Sequence, residues 1–325
     1  MRCCTWKTAS FCFLRNLCMR RRLRKGGDSI NSFMAWVGGK KALRDEILAR
    51  FPRNYKRYIE VFGGAGWVLF HKPPGNDFEV FNDFNGNLVN LYRCVREQPE
   101  ALRNELRYML NSRLDFEYMK GMLHSRAVLP DVRRAAYYYA LIRYSYAAGT
   151  STFGSQPHAM WNNFPLIESA AGRLQKVVIE NKDCVKLIRQ YDRPESFFYC
   201  DPPYFEAEKL YEVGFPREKH IELKRILAEC VGFIVVSYND CPFIRCLYED
   251  FYILAFRRNN PLSQKKNATY GELIITNYDP RSYLQPQVSM FPAEIENGDL
   301  VLVQKPACGS LREINLARRE KELGH

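Results

Sequence analysis

The chain has 325 residues, with 48 Lys and Arg against 36 Asp and Glu, and a formal net charge of +12. This length is sufficient for one large α/β domain or two ordinary domains. Hydrophobic residues make up 46% of the chain and aromatic residues 14%, which excludes wholesale disorder. No run approaches the ~18 apolar residues of a membrane-spanning helix, so no membrane partner is expected. The basic balance is compatible with a nucleic-acid partner without establishing one.

The cysteines indicate a reducing compartment. There are 11, an odd number, at irregular spacings and with no C-x-x-C pair. A chain of this length needs no disulfide framework, and the spacing matches neither a zinc ribbon nor a redox centre. We therefore expect reduced thiols, no metal and a cytoplasmic location.

The N-terminal segment differs from the rest of the sequence. Residues 1–30 hold eight Lys and Arg and one acid, Asp28, and so contribute +7 of the net charge of +12. A terminal run of charge is commonly solvated, and we predict a basic, disordered extension over residues 1–33. A tail that touches nucleic-acid phosphates is the alternative.

The first ordered elements alternate between helix and strand. Residues 41–49 form an amphipathic pattern, and the β-branched and aromatic stretch 57–62 runs directly into a glycine loop at 63–66. A helix beginning at Trp67, a strand at 78–81 and a helix at 88–96 follow. This order is that of a βαβ unit and predicts a parallel sheet.

A mainly helical stretch interrupts this pattern. Residues 99–146 contain long helical segments, and residues 101–145 carry eight Lys and Arg against four acids. Strand patterns return after residue 176. The chain therefore divides into the extension, a sheet domain at 34–98 and 176–280, a helical insertion at 99–175, and a C-terminal extension at 281–325. The basic residues of the insertion suit contacts with phosphates.

The glycine loop indicates a bound nucleoside. Gly63, Gly64 and Gly66 follow a strand, so the backbone can turn tightly and approach a ligand. Asp83 lies 20 residues after Gly63 at the end of the next strand, where a carboxylate can accept bonds from ribose hydroxyls. The loop is not G-x-G-x-x-G, which makes a dinucleotide less favoured.

The sequence Asp201-Pro202-Pro203-Tyr204 follows another apolar strand and predicts a site for a flat ring with an amino group. The two prolines fix the backbone and remove two N–H donors. Asp201 and the Pro202 carbonyl can each accept a hydrogen bond from an exocyclic NH₂, and Tyr204 can stack on the ring. Such bonds draw the nitrogen lone pair out of conjugation and free it to attack an electrophilic methyl group.

These motifs resemble a known family. Residues 201–204 together with 60–66 are similar to the amino-methyltransferases that use S-adenosylmethionine. Residues 36–40, WVGGK, resemble the K-W-A-G-G-K element that opens the Dam-like (D12 class) DNA adenine methyltransferases, and the resemblance covers residues 34–279. The sequence departs from the family at Ala35, where Lys is frequent, and at the bulky Trp67.

The resemblance implies an α/β, Rossmann-like methyltransferase domain with an inserted helical target-recognition domain. It implies methyl transfer from S-adenosylmethionine to the 6-amino group of an adenine flipped out of double-stranded DNA, by a monomer or by a dimer on DNA. The implied cofactor residues are Trp36, Lys40, Phe62, Gly63, Gly64, Gly66, Asp83, Asp183 and Asp201. Those for the target base are Asp201, Pro202 and Tyr204. The predicted DNA contacts are Arg133, Arg134, Arg143, Arg257, Arg258, Lys265 and Lys266.

Within this assignment, Trp36 gives apolar contact, Lys40 neutralises the carboxylate of the cofactor, and Asp183 meets its adenine amino group. Two other functions remain open at this point. One is methyl transfer to an amino group of RNA or protein, and the other is a catalytically silent DNA-binding module. GATC is the recognition sequence only as a family-level expectation.

Overall fold

The computed structural model describes residues 29–36, 38–41, 43–125, 128–206, 214–259, 269–283 and 301–323. Its centre is an eight-stranded sheet with the order β3-β2-β1-β4-β5-β7-β6-β8. In chain order the strands are β1 (Arg57–Glu60), β2 (Phe78–Asn82), β3 (Val177–Glu180), β4 (Ser196–Cys200), β5 (Phe233–Asn239), β6 (Tyr252–Asn259), β7 (Thr269–Thr276) and β8 (Val301–Gln304).

Helices cover both faces of this sheet. They are α1 (Arg44–Ala49), α2 (Trp67–His71), α3 (Gly86–Glu97), α4 (Pro99–Arg107), α5 (Arg113–His124), α6 (Asp131–Tyr144), α7 (Phe164–Leu174), α8 (Cys184–Tyr191), α9 (Arg217–Glu229), α10 (Pro242–Leu247) and α11 (Leu311–Leu323). Short 3₁₀ turns lie at Tyr146–Ala148, Met160–Asn163 and Pro280–Tyr283. In the described part of the chain, no helix combines the length and the apolar character that crossing a bilayer requires.

The sheet is parallel on one side and antiparallel on the other. Strands β3, β2, β1, β4 and β5 pair in parallel, whereas β7 pairs antiparallel with both β5 and β6, and β8 pairs antiparallel with β6. All five residues of β4 are buried, as expected for a parallel strand covered on both faces. The predicted α/β class is confirmed, but the pattern of the first βαβ unit did not predict the antiparallel side.

The topology places the sequence motifs at one edge. Strand β1 lies between β2 and β4, so the chain reverses its direction of travel across the sheet at this point. In open α/β sheets a crevice forms there, outside the carboxyl ends of the strands. The glycine loop follows β1, Asp83 follows β2 and Asp201 follows β4, and all three reach this crevice.

The helical insertion shares its core with the sheet. Two of its three consecutive tyrosines, Tyr138 and Tyr139, are buried, whereas Tyr137 is partly exposed, as one helical face requires. The Tyr139 hydroxyl donates to the Phe33 carbonyl at 2.7 Å, and the Asn85 amide donates to the Tyr138 hydroxyl at 2.9 Å. The insertion therefore packs against the sheet domain through one continuous apolar cluster.

The N-terminal extension ends earlier than predicted. Phe33 is fully buried, the Ile30 amide donates to Phe70 O at 2.9 Å, and the Ser32 hydroxyl donates to Ala65 O at 2.6 Å. The boundary at residue 33 is therefore wrong, because residues 30–33 already pack against α2 and the glycine loop. Residues 1–28 lie outside the described part.

The C-terminal segment also joins the sheet domain. Strand β8 pairs with β6, and the Asn315 amide of α11 donates to Ala228 O at 2.7 Å and to Cys230 O at 3.0 Å. Arg319 forms an ion pair with the buried Asp192 at 2.7 Å. The extension predicted at 281–325 thus contributes an edge strand and a helix in its described residues, 281–283 and 301–323.

Candidate active site

One cavity joins the two motifs that the sequence analysis singled out. It is lined by residues 62–66, by Asp83, by Trp36 and Lys40, and by Asp201 and Pro203. The proximity of these groups follows from the parallel pairing of β1 with β2 and with β4, which brings three strand ends side by side. The site predicted for a nucleoside and the site predicted for an amine are therefore contiguous.

The glycine loop needs its glycines for space and for backbone conformation. Gly64 and Gly66 have φ values of 49° and 63°, in the left-handed region that disfavours side chains. A Cβ at Gly63 would lie 2.2 Å from the Phe81 ring, and one at Gly64 would lie 2.9 Å from the Trp36 indole. The loop therefore passes close to neighbouring rings and exposes its backbone to the cavity.

Asp83 holds this loop in place. Its carboxylate accepts hydrogen bonds from the backbone N–H of Gly64 at 3.0 Å and from the backbone N–H of Asn85 at 2.8 Å. The carboxylate also lines the cavity. The residue predicted for ribose hydroxyls thus has a second function, because it ties the end of β2 to the loop after β1.

Two tryptophans of the site pack against glycines from two different segments of the chain. Trp36 lies against Gly64, and Trp67 lies against Gly39, where a Cβ would be 2.7 Å from the indole Nε1. Both tryptophans line the cavity. Trp67, at which the sequence departs from the family, has the Lys41 ammonium 5.7 Å from its ring centroid. The bulky side chain therefore forms part of the wall.

Asp183 caps a helix and also borders the cavity. Its Oδ1 accepts from the amides of Val185 at 3.0 Å and Lys186 at 3.3 Å, the N-terminal turn of α8. Its Oδ2 lies 3.3 Å from the Lys219 ammonium. The local reason for its position is capping, and its predicted contact with the cofactor stays a prediction.

Lys40 has a partner that the sequence analysis did not predict. Its ammonium lies 2.6 Å from Asp201 Oδ1 and donates to Gly38 O at 3.0 Å. The Lys40 side chain is only 3% exposed, and its nitrogen lies 4.6 Å from the Tyr204 ring centroid. The carboxylate and the aromatic face that were predicted for the target amine thus also surround the Lys40 ammonium.

The remaining residues of the 201–204 motif are held in place by packing against neighbouring side chains. Pro202 is buried, and Tyr204 is half-buried with its ring 6.4 Å from that of Tyr238. Phe205, which follows, packs on the ring of Phe243 at 4.3 Å and on His220 at 5.6 Å. Aromatic packing therefore fixes the far end of the motif, while β4 fixes its start.

Glu60 is a site residue that the sequence analysis did not assign. It ends β1, lines the cavity, is 2% exposed and accepts a hydrogen bond from the Tyr58 hydroxyl at 2.7 Å. Burial raises the pKa of its carboxyl from 4.5 to about 8. An acidic residue at the end of an apolar strand, three positions before Gly63, was the available signal.

The raised pKa of Glu60 gives a pH-dependent contribution to stability. Between pH 4.5 and about 8 the folded protein holds this proton while the unfolded chain has lost it, so the free energy of unfolding falls as pH rises. The slope is about 1.4 kcal/mol per pH unit inside that window. Denaturant unfolding of the wild type and Glu60→Gln at several pH values measures it. We expect Glu60→Gln to gain stability relative to the wild type as pH rises, and parallel curves would contradict this origin.

The predicted DNA contacts lie in different environments. Arg133 pairs with Glu105 at 3.2 Å, Arg134 donates to Asn87 at 2.7 Å, and Arg143 donates to His158 at 3.3 Å and to Asn163. Arg257 is exposed on β6. The Arg258 side chain, Lys265 and Lys266 lie outside the described part. These DNA contacts remain predictions.

A strained loop connects the insertion to the cavity. Ala147, Ala148, Thr150 and Ser155 all have positive φ values, between 51° and 61°. Left-handed backbone at non-glycine residues costs about 1–2 kcal/mol each, and clusters of it mark functional segments. Ala148, Gly149 and Thr150 line the cavity, so this loop closes the side that faces the helical insertion.

The described residues contain no group of three or more His, Cys, Asp or Glu side chains arranged to hold a metal ion.

Comparison with known proteins identifies the family of this chain. The sequence model of the D12 class of N6 adenine-specific DNA methyltransferases matches residues 36–259. The chain belongs to this class. As a member of it, the protein methylates the N6 position of adenine in DNA, and its mixed α/β sheet is the fold of that class.

This D12 enzyme is similar to several methyltransferases over almost their entire length. It is 26% identical over 79% of its length to a type II methyltransferase of Lactococcus lactis subsp. cremoris, 98% of which is covered. It is 24% identical over 77% of its length to a type II methyltransferase of Methanocaldococcus jannaschii, covering 99% of that protein. It is 26% identical over 74% of its length to a DNA adenine methylase of Haemophilus influenzae, covering 92% of that protein.

Proposed function

We propose that this enzyme takes the methyl group from S-adenosylmethionine and transfers it to the 6-amino group of an adenine that has been flipped out of double-stranded DNA. One observation carries the proposal: the glycine loop with Asp83 and the 201–204 motif open into the same cavity. Donor and acceptor sites that share a cavity permit direct transfer, in which positioning and electrostatics provide the rate enhancement.

The donor half of the cavity fits a nucleoside with an amino-acid tail. The glycines let the loop pack closely against Phe81 and Trp36, and the loop lines the cavity along residues 62–66, where a ligand can lie on its backbone. We assign the ribose hydroxyls to the Asp83 carboxylate and the apolar wall to Trp36, since both residues line the cavity. S-adenosylmethionine supplies an activated methyl group there.

The acceptor half fits an aromatic amine. Asp201 and the Pro202 carbonyl accept the two hydrogens of the 6-amino group, and this draws the nitrogen lone pair out of conjugation with the ring. Tyr204 stacks on the base. A base inside a duplex cannot reach these groups, so the target nucleotide leaves the stack before it reacts.

DNA contacts outside the pocket follow from charge. The basic side chains predicted on the insertion and on residues 257–266 neutralise phosphates on either side of the flipped nucleotide. Arg133 and Arg257 are exposed and suit this function best. Arg134 already bonds to Asn87 of the sheet domain, and Arg143 bonds to His158 within the insertion, so we assign both to holding the surface in shape as well as to DNA.

Incubation with methyl-labelled S-adenosylmethionine and equal amounts of duplex DNA, single-stranded DNA, RNA and protein tests the proposal. We expect label in duplex DNA, released on digestion as N6-methyladenine. Label confined to RNA or protein would overturn the assignment, and absence of label in every substrate would favour the silent DNA-binding module. Sequencing of methylated bases in DNA from an expressing host then gives the recognition sequence, with GATC as the first comparison.

Asp83→Asn is expected to weaken binding of S-adenosylhomocysteine by about 10- to 100-fold, because charged hydrogen bonds of this kind contribute about 1.5–3 kcal/mol. Titration calorimetry measures the change. Asp45→Asn is the control, since that carboxylate is half exposed and pairs with His71 away from the cavity. Equal affinity in Asp83→Asn and the wild type would place the ribose elsewhere.

A further inference from the structure

A buried serine lies directly beside Asp201. Ser237 belongs to β5, is 0% exposed, and follows four apolar residues of that strand. Strand β5 runs parallel to β4 with Cys200 opposite Val236, so the next residue of each strand, Asp201 and Ser237, are neighbours. The Ser237 hydroxyl lies 2.8 Å from Asp201 Oδ1.

The direction of the hydrogen bonds at Ser237 follows from the distances. A hydroxyl has one hydrogen, and the contact with Asp201 Oδ1 at 2.8 Å is shorter than that with Cys200 O at 3.5 Å. Tyr199 lies 3.2 Å from the Ser237 oxygen, and burial keeps the pKa of its phenol well above the usual range. Tyr199 therefore keeps its proton and can donate to Ser237, which donates to Asp201.

Two donors consequently meet on the same carboxylate oxygen. Asp201 Oδ1 accepts from Ser237 and lies 2.6 Å from the Lys40 ammonium, whereas no described residue bonds Oδ2. A carboxylate held by two donors on one oxygen does not rotate freely about its Cβ–Cγ bond, and its orientation is fixed before substrate arrives.

We propose that Ser237 is a positioning residue which, together with Lys40, turns the Asp201 carboxylate so that Oδ2 faces the target amine. This inference deepens the proposed function and rests on it. Ser237 itself does not touch the base or the cofactor. Its loss therefore lowers the rate of methyl transfer while leaving the affinity for cofactor unchanged.

Ser237→Ala, compared with Ser196→Ala, tests this inference. Ser196 is equally buried and its hydroxyl donates to Tyr191 O at 2.6 Å, so its removal reports the general cost of losing a buried serine. We expect the single-turnover rate on duplex DNA to fall by about 10- to 100-fold in Ser237→Ala, and calorimetric affinity for S-adenosylhomocysteine to stay within about twofold of the wild type. Ser196→Ala should keep the wild-type rate.

Two further variants keep the test decisive if Ser237→Ala does not fold. Ser237→Cys keeps a donor at this position, though a weaker one on a larger atom, and Tyr199→Phe removes only the outer hydroxyl of the Tyr199–Ser237–Asp201 chain, so both should have intermediate rates. A wild-type rate in Ser237→Ala or, where that variant does not fold, in Ser237→Cys would overturn the inference, as would a fall matched by an equal loss of cofactor affinity. Wild-type protein and Asp201→Ala in the same assay separate this result from the proposed function, which fails only if the wild type transfers no methyl group to adenine.

Discussion

Methyl transfer should be abolished in Asp201→Ala. The substitution removes the carboxylate that accepts from the target amine, and loss of one such group costs about 100- to 1,000-fold in rate. It also leaves Lys40, whose side chain is 3% exposed, without its ion pair at 2.6 Å. Removing one partner of a buried pair is expected to lower the free energy of unfolding by about 3 kcal/mol. Activity and stability should therefore fall together, although the motif alone predicts an effect on activity only.

Two measurements separate these effects. Single-turnover methylation of duplex DNA gives the rate, and urea unfolding gives the free energy. The double variant Lys40→Met/Asp201→Ala should recover stability without recovering activity, because it removes the unpaired ammonium. Asp45→Ala, at a half-exposed position, serves as the surface control. Near-normal methylation by a folded Asp201→Ala protein would be incompatible with its assignment to the target amine.

The sequence predicted those parts of the fold that depend on local pattern. The strand before the glycine loop, the strand before Asp83 and the strand before Asp201 all read as short apolar runs ending in polar or turn residues, and each is a parallel strand. Because parallel strands align their carboxyl ends, the structure brings the three motifs together at one edge of the sheet. The family assignment then rested on motifs with fixed spacing and order.

The remaining features depend on contacts between distant segments. The antiparallel pairing of β7 with β5 and β6 depends on which edge of the sheet is left for the last strands, and a strand pattern does not carry that information. Phe33 was included in the basic tail because it follows the charged residues 1–28, yet it stacks on Tyr139 of the insertion at a centroid distance of 6.0 Å. A boundary drawn from charge alone therefore fell too late.

Within the site, the sequence indicated which residues belong to it but not which of them contact each other. Lys40 and Asp201 were both assigned, but to different ligands, because their proximity arises only when the segment before α1 folds over the end of β4. Ser237 carried a weak signal, a hydroxyl at the end of an apolar strand. Glu60 carried a stronger one, an acidic residue that ends the apolar strand before the glycine loop.

Lys40→Met distinguishes the predicted contact with the cofactor from the observed contact with Asp201. If Lys40 only neutralised the cofactor carboxylate, the variant would lose cofactor affinity and regain its rate at saturating cofactor. Because the ammonium lies 2.6 Å from Asp201 Oδ1, we expect the saturated single-turnover rate to fall as well, by about 100-fold. Lys41→Met is the matched control, since Lys41 is the next residue in the chain, is exposed, and has its ammonium 5.7 Å from the centroid of the Trp67 ring.

Lys40→Met and Asp201→Ala should differ in stability, because the charges that they leave unpaired are buried to different extents. Lys40→Met leaves Asp201 unpaired, but that side chain is 18% exposed and retains its bond from Ser237. Asp201→Ala leaves the ammonium of Lys40 at 3% exposure with only the Gly38 carbonyl as a polar partner within the described part of the chain. Desolvation disfavours the more buried charge, so Asp201→Ala should be less stable than Lys40→Met. The reverse order in urea unfolding would show that the pair does not hold in solution, and Lys40 would then act on the cofactor alone.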